Sequence, residues 1–149
     1  MYIKYILTTV ALLIGGLLAV QGSMNSQLGG YLKQPLQASF VNFFVGTICL
    51  LAVNLLMRTG IPKAGLLTQI PLYLFFGGIL GAIFVSSVVI LIPKIGVSTM
   101  LGATIGGQMI VASIIDHYGF FNVEVHPISL GRIAGIVCLI AGIFLIQRF

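Results

Sequence analysis

Side-chain amides are the groups in this sequence whose spacing could bind a solute. Gln21 and Asn25 lie four residues apart, and Asn42 and Gln108 stand in two other apolar runs. Four-residue spacing puts two side chains on one face of a helix. A carboxamide both donates and accepts hydrogen bonds, so it can bind a polar or zwitterionic solute without a formal charge. The alternative role is an interhelical hydrogen bond worth about 1 kcal/mol.

Polar side chains are costly in hydrocarbon unless they are paired or face a cavity. Three amide-bearing runs in so short a chain therefore favour a shared polar cavity, and an aromatic neighbour would hold an apolar or cationic part of the solute. The predicted substrate-binding residues are Gln21, Asn25, Asn42, Phe43, Ser86 and Gln108.

The only two acids, Asp116 and Glu124, fall close to the two histidines. With His117 and His126 they form Asp-His-x6-Glu-x-His, a spacing that matches no familiar metal site. An interfacial loop is favoured, and no metal is expected. Asp116 and His117 remain candidates for proton coupling at the edge of the cavity. No apolar run carries an acid or a base in its central part, which argues against a proton carrier inside the membrane.

No arrangement typical of catalysis can be assembled from these residues, so we predict that the protein is not an enzyme and uses no cofactor. Cys49 and Cys138 lie in apolar runs, where buried small residues are expected rather than a disulfide. The net charge of +5 comes from scattered residues, and no basic cluster exists. Nucleic acid is therefore not an expected partner.

The composition indicates an integral membrane protein. Of 149 residues, 59% are hydrophobic and 6% are charged, and the mean hydropathy is +1.20. A soluble domain needs about a quarter charged residues to wet its surface. A hydrocarbon core about 30 Å thick needs about 20 apolar residues per helix. The sequence predicts one all-α domain over residues 1–149, with spans near 4–24, 37–57, 71–92, 97–115 and 130–147.

The basic residues give little indication of orientation. With five crossings, one face carries Lys4, Arg58, Lys63 and Arg132, and the other carries Lys33, Lys94 and Arg148. The Lys/Arg bias normally sets orientation, so near balance predicts insertion both ways; a single orientation is the alternative. Two inverted copies would form the inverted-repeat pair that many secondary transporters use.

Small residues at four-residue spacing indicate close helix packing. Gly77-x3-Gly81 and Gly102-x3-Gly106 fit this pattern inside the third and fourth spans. The fifth span has small residues and no polar side chain in its core beyond one cysteine, so it is better suited to association than to lining a cavity. The predicted dimer interface comprises Gly131, Gly135, Cys138 and Gly142.

Several stretches together resemble the half-size YdcZ-like family of the drug/metabolite transporter superfamily. They are QGSMNSQL (21–28), ASFVNFFVGT (38–47), GGILGAIFV (77–85), PKIGV (93–97), GGQMIVASIIDHYG (106–119) and GRIAGI (131–136). The family is similar to one half of the ten-helix EamA-type exporters. The resemblance implies two antiparallel copies, with the first, third and fourth helices lining the cavity, the second contributing, and the fifth joining the halves.

The resemblance thus implies a homodimeric, alternating-access exporter of small molecules (drugs or metabolites) in the bacterial inner membrane. It does not identify the substrate. The small multidrug resistance proteins of the same superfamily look different, with four spans and a glutamate in the first helix. Here the first span has Gln21 and no acid, so carboxylate-based cation antiport is not implied. A dual-topology ion channel and a membrane scaffold without transport are the alternatives.

Overall fold

The computed structural model describes residues 2–60, 62 and 64–149. Within these ranges, five helices are long and apolar enough to cross a membrane, which confirms the all-helical prediction. They are α1 (Tyr2–Leu32), α2 (Pro35–Leu56), α4 (Phe76–Ile95), α5 (Val97–Tyr118) and α6 (Leu130–Arg148). A short helix, α3 (Ala64–Leu67), and two 3-10 turns, Leu72–Phe75 and Phe120–Asn122, lie in the connections.

Helix α1 is longer than the span expected near 4–24. Its 31 residues extend about 46 Å at 1.5 Å per residue, well beyond a 30 Å hydrocarbon core. The helix continues through the amide-rich stretch because nothing there breaks it. It ends where Lys33 takes a left-handed φ of 54° and Gln34 is extended before Pro35, as a residue that precedes proline prefers. Gln21 therefore lies well inside a continuous helix.

The spans expected near 71–92 and 97–115 put Pro93 and Lys94 in the connection between two helices, but the structure does not. Both residues belong to the last turn of α4, which continues to Ile95. Gly96 then separates α4 from α5 with a φ of 83°, a left-handed conformation that glycine adopts without steric penalty. Helix α5 runs on to Tyr118, so Asp116 and His117 lie in its last turn.

The chain forms two compact units, residues 1–94 and 95–149. In the first unit, the α1 residues Gly22, Asn25 and Gly29 are buried. A Cβ added at Gly29 would lie 2.6 Å from Cγ1 of Val89, and one at Gly22 would lie 3.1 Å from Cδ1 of Ile92. Close approach to α4 therefore requires glycine at position 29, a requirement that the sequence patterns did not reveal.

In the second unit, α5 packs on α6. A Cβ added at Gly102 or Gly106 would lie 3.1 Å from side-chain carbons of Ile143, which agrees with a packing role for that glycine pair. Gly77 has no neighbour within 4 Å of an added Cβ, whereas Gly81 faces the ring of Phe43. The close helix packing predicted at Gly77 is therefore not seen within one chain.

Cys49 and Cys138 are free and exposed, so the expectation that they are buried within the chain is wrong. Their helices present apolar outer faces, which lipid covers without any need for protein contacts. Lys63, one of the residues in the charge comparison, lies outside the described residues, as does the side chain of Lys4. The prediction of a single domain stays a prediction.

Candidate substrate-binding cleft

Four of the predicted substrate-binding residues line one cleft in the first unit. The cleft has a volume of about 240 Å³. Its lining comprises Gln21, Asn25, Asn42, Phe43, Gly46, Thr47, Leu50 and Val85. Helices α1 and α2 supply all the polar groups, and α4 supplies only Val85.

Helical spacing explains why these side chains meet. Gln21 and Asn25 are one turn apart on α1, and Asn25 is only 6% exposed. On α2, Asn42 and Gly46 are also one turn apart. Ser39 precedes them on the same stripe, is buried, and donates a hydrogen bond to the carbonyl oxygen of Pro35. The small Gly46 leaves open the space that a larger side chain would fill.

The amides of the cleft are not used to hold the fold together. Nδ2 of Asn42 is buried and has no hydrogen-bond partner. Across the described residues, neither Gln21 nor Asn25 makes a side-chain hydrogen bond. Thr47, by contrast, donates to the carbonyl oxygen of Phe43 at 2.8 Å, so its hydroxyl is partly satisfied within α2.

The cleft contains no charged side chain. Its amides present both donors and acceptors, and the ring of Phe43 adds an apolar face that also attracts cations. This chemistry suits a neutral or zwitterionic solute with an apolar part. A fully anionic solute would find no counter-charge there.

Two predicted residues do not join this cleft. Ser86 is half-buried on α4 beside Val85 but is not part of the lining. Gln108 is exposed on α5 in the second unit and lines neither cleft described here. Thr47 and Leu50 also line the cleft, although the sequence patterns did not predict them. They lie four residues after Phe43 and Gly46, and this helical spacing could have identified them.

The second unit has a larger cleft, of about 430 Å³. Its lining comprises Ile105, Met109, Ala112, Ser113, Asp116, Arg132, Gly135, Ile136 and Leu139. Nη1 of Arg132 lies 3.2 Å from Oδ2 of Asp116. This cleft is therefore apolar along its length and has an ion pair at one end.

Asp116 and His117 hold the loop that follows α5. The backbone N–H of His126 donates to the carbonyl oxygen of Asp116 at 2.9 Å, and that of Ile128 donates to Nδ1 of His117 at 3.3 Å. Arg132 also donates to the carbonyl oxygen of His126. Both candidate proton-coupling residues thus have structural partners, and their coupling role stays a prediction. No cluster of three metal-ligating side chains occurs within the described ranges.

A protein-family model described as "Putative inner membrane exporter, YdcZ" matches residues 6–145. The chain belongs to this family. It is accordingly a multi-pass protein of the inner membrane and a transporter of an exporter family. No curated protein and no solved structure gives a match.

The face of α6 predicted to join two copies of this YdcZ-family chain is open. An added Cβ at Gly135 or Gly142 would meet nothing within 4 Å, and one at Gly131 would meet only Oγ of Ser129. Cys138 is exposed. These residues are accessible for association, and their role as a dimer interface stays a prediction.

Proposed function

We propose that this YdcZ-family chain is one half of an alternating-access exporter in which two copies insert in opposite orientations. Each copy contributes its α1–α2 cleft to the substrate-binding surface. The observation that carries the proposal is the buried Nδ2 of Asn42, which has no partner and lies in a cleft shared with two further amides.

An unsatisfied buried donor costs about 1–3 kcal/mol, and buried polar groups in stable folds are nearly always paired. A substrate that presents a hydrogen-bond acceptor would satisfy Asn42 during transport. The absence of charge in the cleft lining favours neutral or zwitterionic solutes. Binding would then rest on hydrogen bonds and on contact with Phe43.

The antiparallel arrangement is supported by the nearly balanced basic residues and by the open position of Gly142 on α6, outside the α5–α6 cleft. Because an inverted copy turns the same cleft toward the opposite side, two copies can offer equivalent surfaces to both faces of the membrane. Two C-terminal reporter fusions can test this, one active only in the cytoplasm and the other active only on the opposite side of the membrane. Both fusions should give signal. Signal from one reporter alone would contradict random insertion of this chain.

Transport itself is tested in proteoliposomes. Solutes are first screened by their effect on the melting temperature of the purified protein. Those that shift it are then tested in flux assays. Asn42→Ala and Gln21→Ala should abolish or strongly reduce flux while expression and the melting temperature change little. Gln27→Ala is the matched control, because Gln27 is an exposed glutamine on α1 outside the cleft.

Two outcomes would contradict the proposal. Conductance far above the turnover of a transporter would indicate a channel. Melting temperatures that fall while flux per folded protein is unchanged would make the amides structural. Asn54, another asparagine on α2, would not serve as a control for Asn42. Its side chain donates a hydrogen bond to the carbonyl oxygen of Leu50 and accepts one from Thr59, so its replacement would itself alter stability.

A further inference from the structure

The cleft between α5 and α6 is amphipathic, and it shares no lining residue with the proposed substrate-binding cleft of the first unit. Only Ser113, Asp116 and Arg132 contribute polar side chains to its lining. Oγ of Ser113 already donates to the carbonyl oxygen of Met109. The remaining polar chemistry is confined to the end that holds the ion pair.

The length of this cleft fits one leaflet of a bilayer. Its lining on α5 runs from Ile105 to Asp116, about 16 Å at 1.5 Å per residue. Half of a 30 Å hydrocarbon core is about 15 Å. An acyl chain that lies along α5 and α6 would therefore place its headgroup beside Asp116.

Aromatic rings next to the ion pair indicate its depth. The ring of Tyr118 lies 4.8 Å from that of His117 and 5.5 Å from that of Phe120, between centroids. Phe121, the next residue, is 69% exposed. Tyrosine and tryptophan side chains concentrate at the level of lipid headgroups, so Asp116, two residues before Tyr118, belongs at that level.

The ion pair leaves complementary groups free. The side chains of Arg132 and Asp116 are 38% and 30% exposed. Nη1 of Arg132 makes the contacts to Asp116 and His126; Nη2 and Nε of Arg132, and Oδ1 of Asp116, have no partner in the part of the chain that the structure describes. A cationic donor set and an anionic acceptor thus lie side by side.

We propose that the α5–α6 cleft binds a phospholipid whose headgroup carries both a phosphate and a primary ammonium. Arg132 binds the phosphate, Asp116 binds the ammonium, and an acyl chain lies against Ile105, Met109 and Leu139. A purely anionic headgroup would meet the repulsion of Asp116. A quaternary ammonium would keep the charge but lacks the N–H donors that Oδ1 can accept.

Native mass spectrometry tests this lipid selectivity on the intact protein. Delipidated protein is incubated with equal amounts of phosphatidylethanolamine, phosphatidylcholine and phosphatidylglycerol, and retained lipid is counted. We expect phosphatidylethanolamine to be retained about tenfold over phosphatidylglycerol, as one charge-assisted hydrogen bond allows, with phosphatidylcholine between them. Equal retention of the three lipids, or preference for phosphatidylglycerol, would overturn the proposal without any mutation.

Variants locate the site. Asp116→Asn should remove the preference for phosphatidylethanolamine, and Arg132→Gln should lower retention of all three lipids. Ala112→Phe should do the same by filling the cleft while leaving the ion pair in place. If none of the three changes retention, or if a second copy cross-linked over the cleft excludes lipid, the proposal fails.

Matched controls exist for each change. Glu124→Gln alters the only other acid, whose side chain is 85% exposed, and Arg148→Gln alters the basic residue in the last turn of α6. Ala103→Phe adds a ring to an exposed position of α5 outside the cleft lining. All three control variants should retain lipid as the wild type does. If a control loses as much lipid as the cleft variant that it matches, the placement of the lipid in this cleft is also overturned.

Discussion

The two clefts of this chain use their polar groups in opposite ways. In the first unit, three amides line an uncharged space, and Nδ2 of Asn42 is buried without a partner. In the second unit, Asp116 and Arg132 pair with each other and help to hold the loop that joins α5 to α6. One cleft leaves donors unused, and the other uses part of its polar chemistry for folding.

This difference lies in how the polar groups of each cleft contribute to stability. A buried donor without an acceptor lowers stability by about 1–3 kcal/mol, so Nδ2 of Asn42 does not stabilise the fold. A half-exposed ion pair, in contrast, contributes about 1 kcal/mol or less and is suited to fastening a loop. Variants of the two units should therefore respond differently in stability and in transport.

The largest effect is expected where the first unit is most tightly packed. Gly29→Leu must displace Val89, since even a Cβ at this position would lie 2.6 Å from Cγ1 of Val89. Overpacking of this kind destabilises by about 1–3 kcal/mol or more. Gly30→Leu is the matched control because an added Cβ there meets nothing within 4 Å.

Thermal unfolding in detergent measures both variants. Gly30→Leu should be neutral or slightly stabilising, since glycine is about 1 kcal/mol worse than alanine or leucine inside a helix. Equal melting temperatures for the two variants would mean that α1 does not approach α4 as closely as the structure describes.

Asn42→Leu should produce the next largest effect and an unusual combination. It removes a buried donor that has no partner, so the melting temperature should rise by the equivalent of about 1 kcal/mol while transport is lost.

In the second unit, Ser113→Ala removes a hydroxyl that already donates to Met109. That change should alter stability by about 0.5 kcal/mol or less.

The sign of the Asn42→Leu effect decides the interpretation. A lower melting temperature would show that the amide has a stabilising partner, such as a second copy or a bound water. The cleft of the first unit would then resemble that of the second unit, and the contrast between them would fail.

Much of the fold could be predicted from local chemistry. Long uncharged runs identify five helices, because the hydrocarbon core requires every backbone group to be paired within a segment. The bounds of the helices were less predictable. Helix α1 continues to Leu32 because its amides and glycines keep helical backbone angles, and it ends only before Pro35. The close approach of Gly29 to Val89 depends on tertiary packing, which no spacing within α1 reveals.

The candidate site was predictable where it depends on one helix and not where it depends on several. Gln21 with Asn25, and Asn42 with Phe43, follow from helical spacing and from neighbouring positions. Ser86 and Gln108 were selected only by residue type, and the structure does not bring them into the lining of this cleft. Which face a residue presents to another helix is a tertiary property.

The α6 face gives a smaller expected effect on association. Gly142→Leu adds a side chain at a position that is open in one chain and lies outside the α5–α6 cleft. If two copies meet there, the dissociation constant should rise about fivefold, which corresponds to about 1 kcal/mol. Light scattering and cross-linking in detergent measure this, with Gly15→Leu on α1 as a control at another open glycine. An unchanged dimer would place the association surface elsewhere.

The smallest expected effect concerns the ion pair and requires a local measurement. Asp116→Asn removes one charge of a pair whose side chains are 38% and 30% exposed, so water already screens much of the interaction and the global melting temperature should barely change. The loop is a better reporter, because its backbone N–H groups at His126 and Ile128 donate to Asp116 and His117.

Hydrogen exchange at these two amides should become about two- to fivefold faster in Asp116→Asn, the equivalent of about 0.5–1 kcal/mol of local stability. Glu124→Gln should leave both rates unchanged, since Glu124 is 85% exposed and approaches His126 only to 3.9 Å. Faster exchange in both variants would indicate a general effect of charge on the loop. Faster exchange throughout α5 and α6 would mean that the pair stabilises the whole second unit, because local opening affects only the amides that it releases.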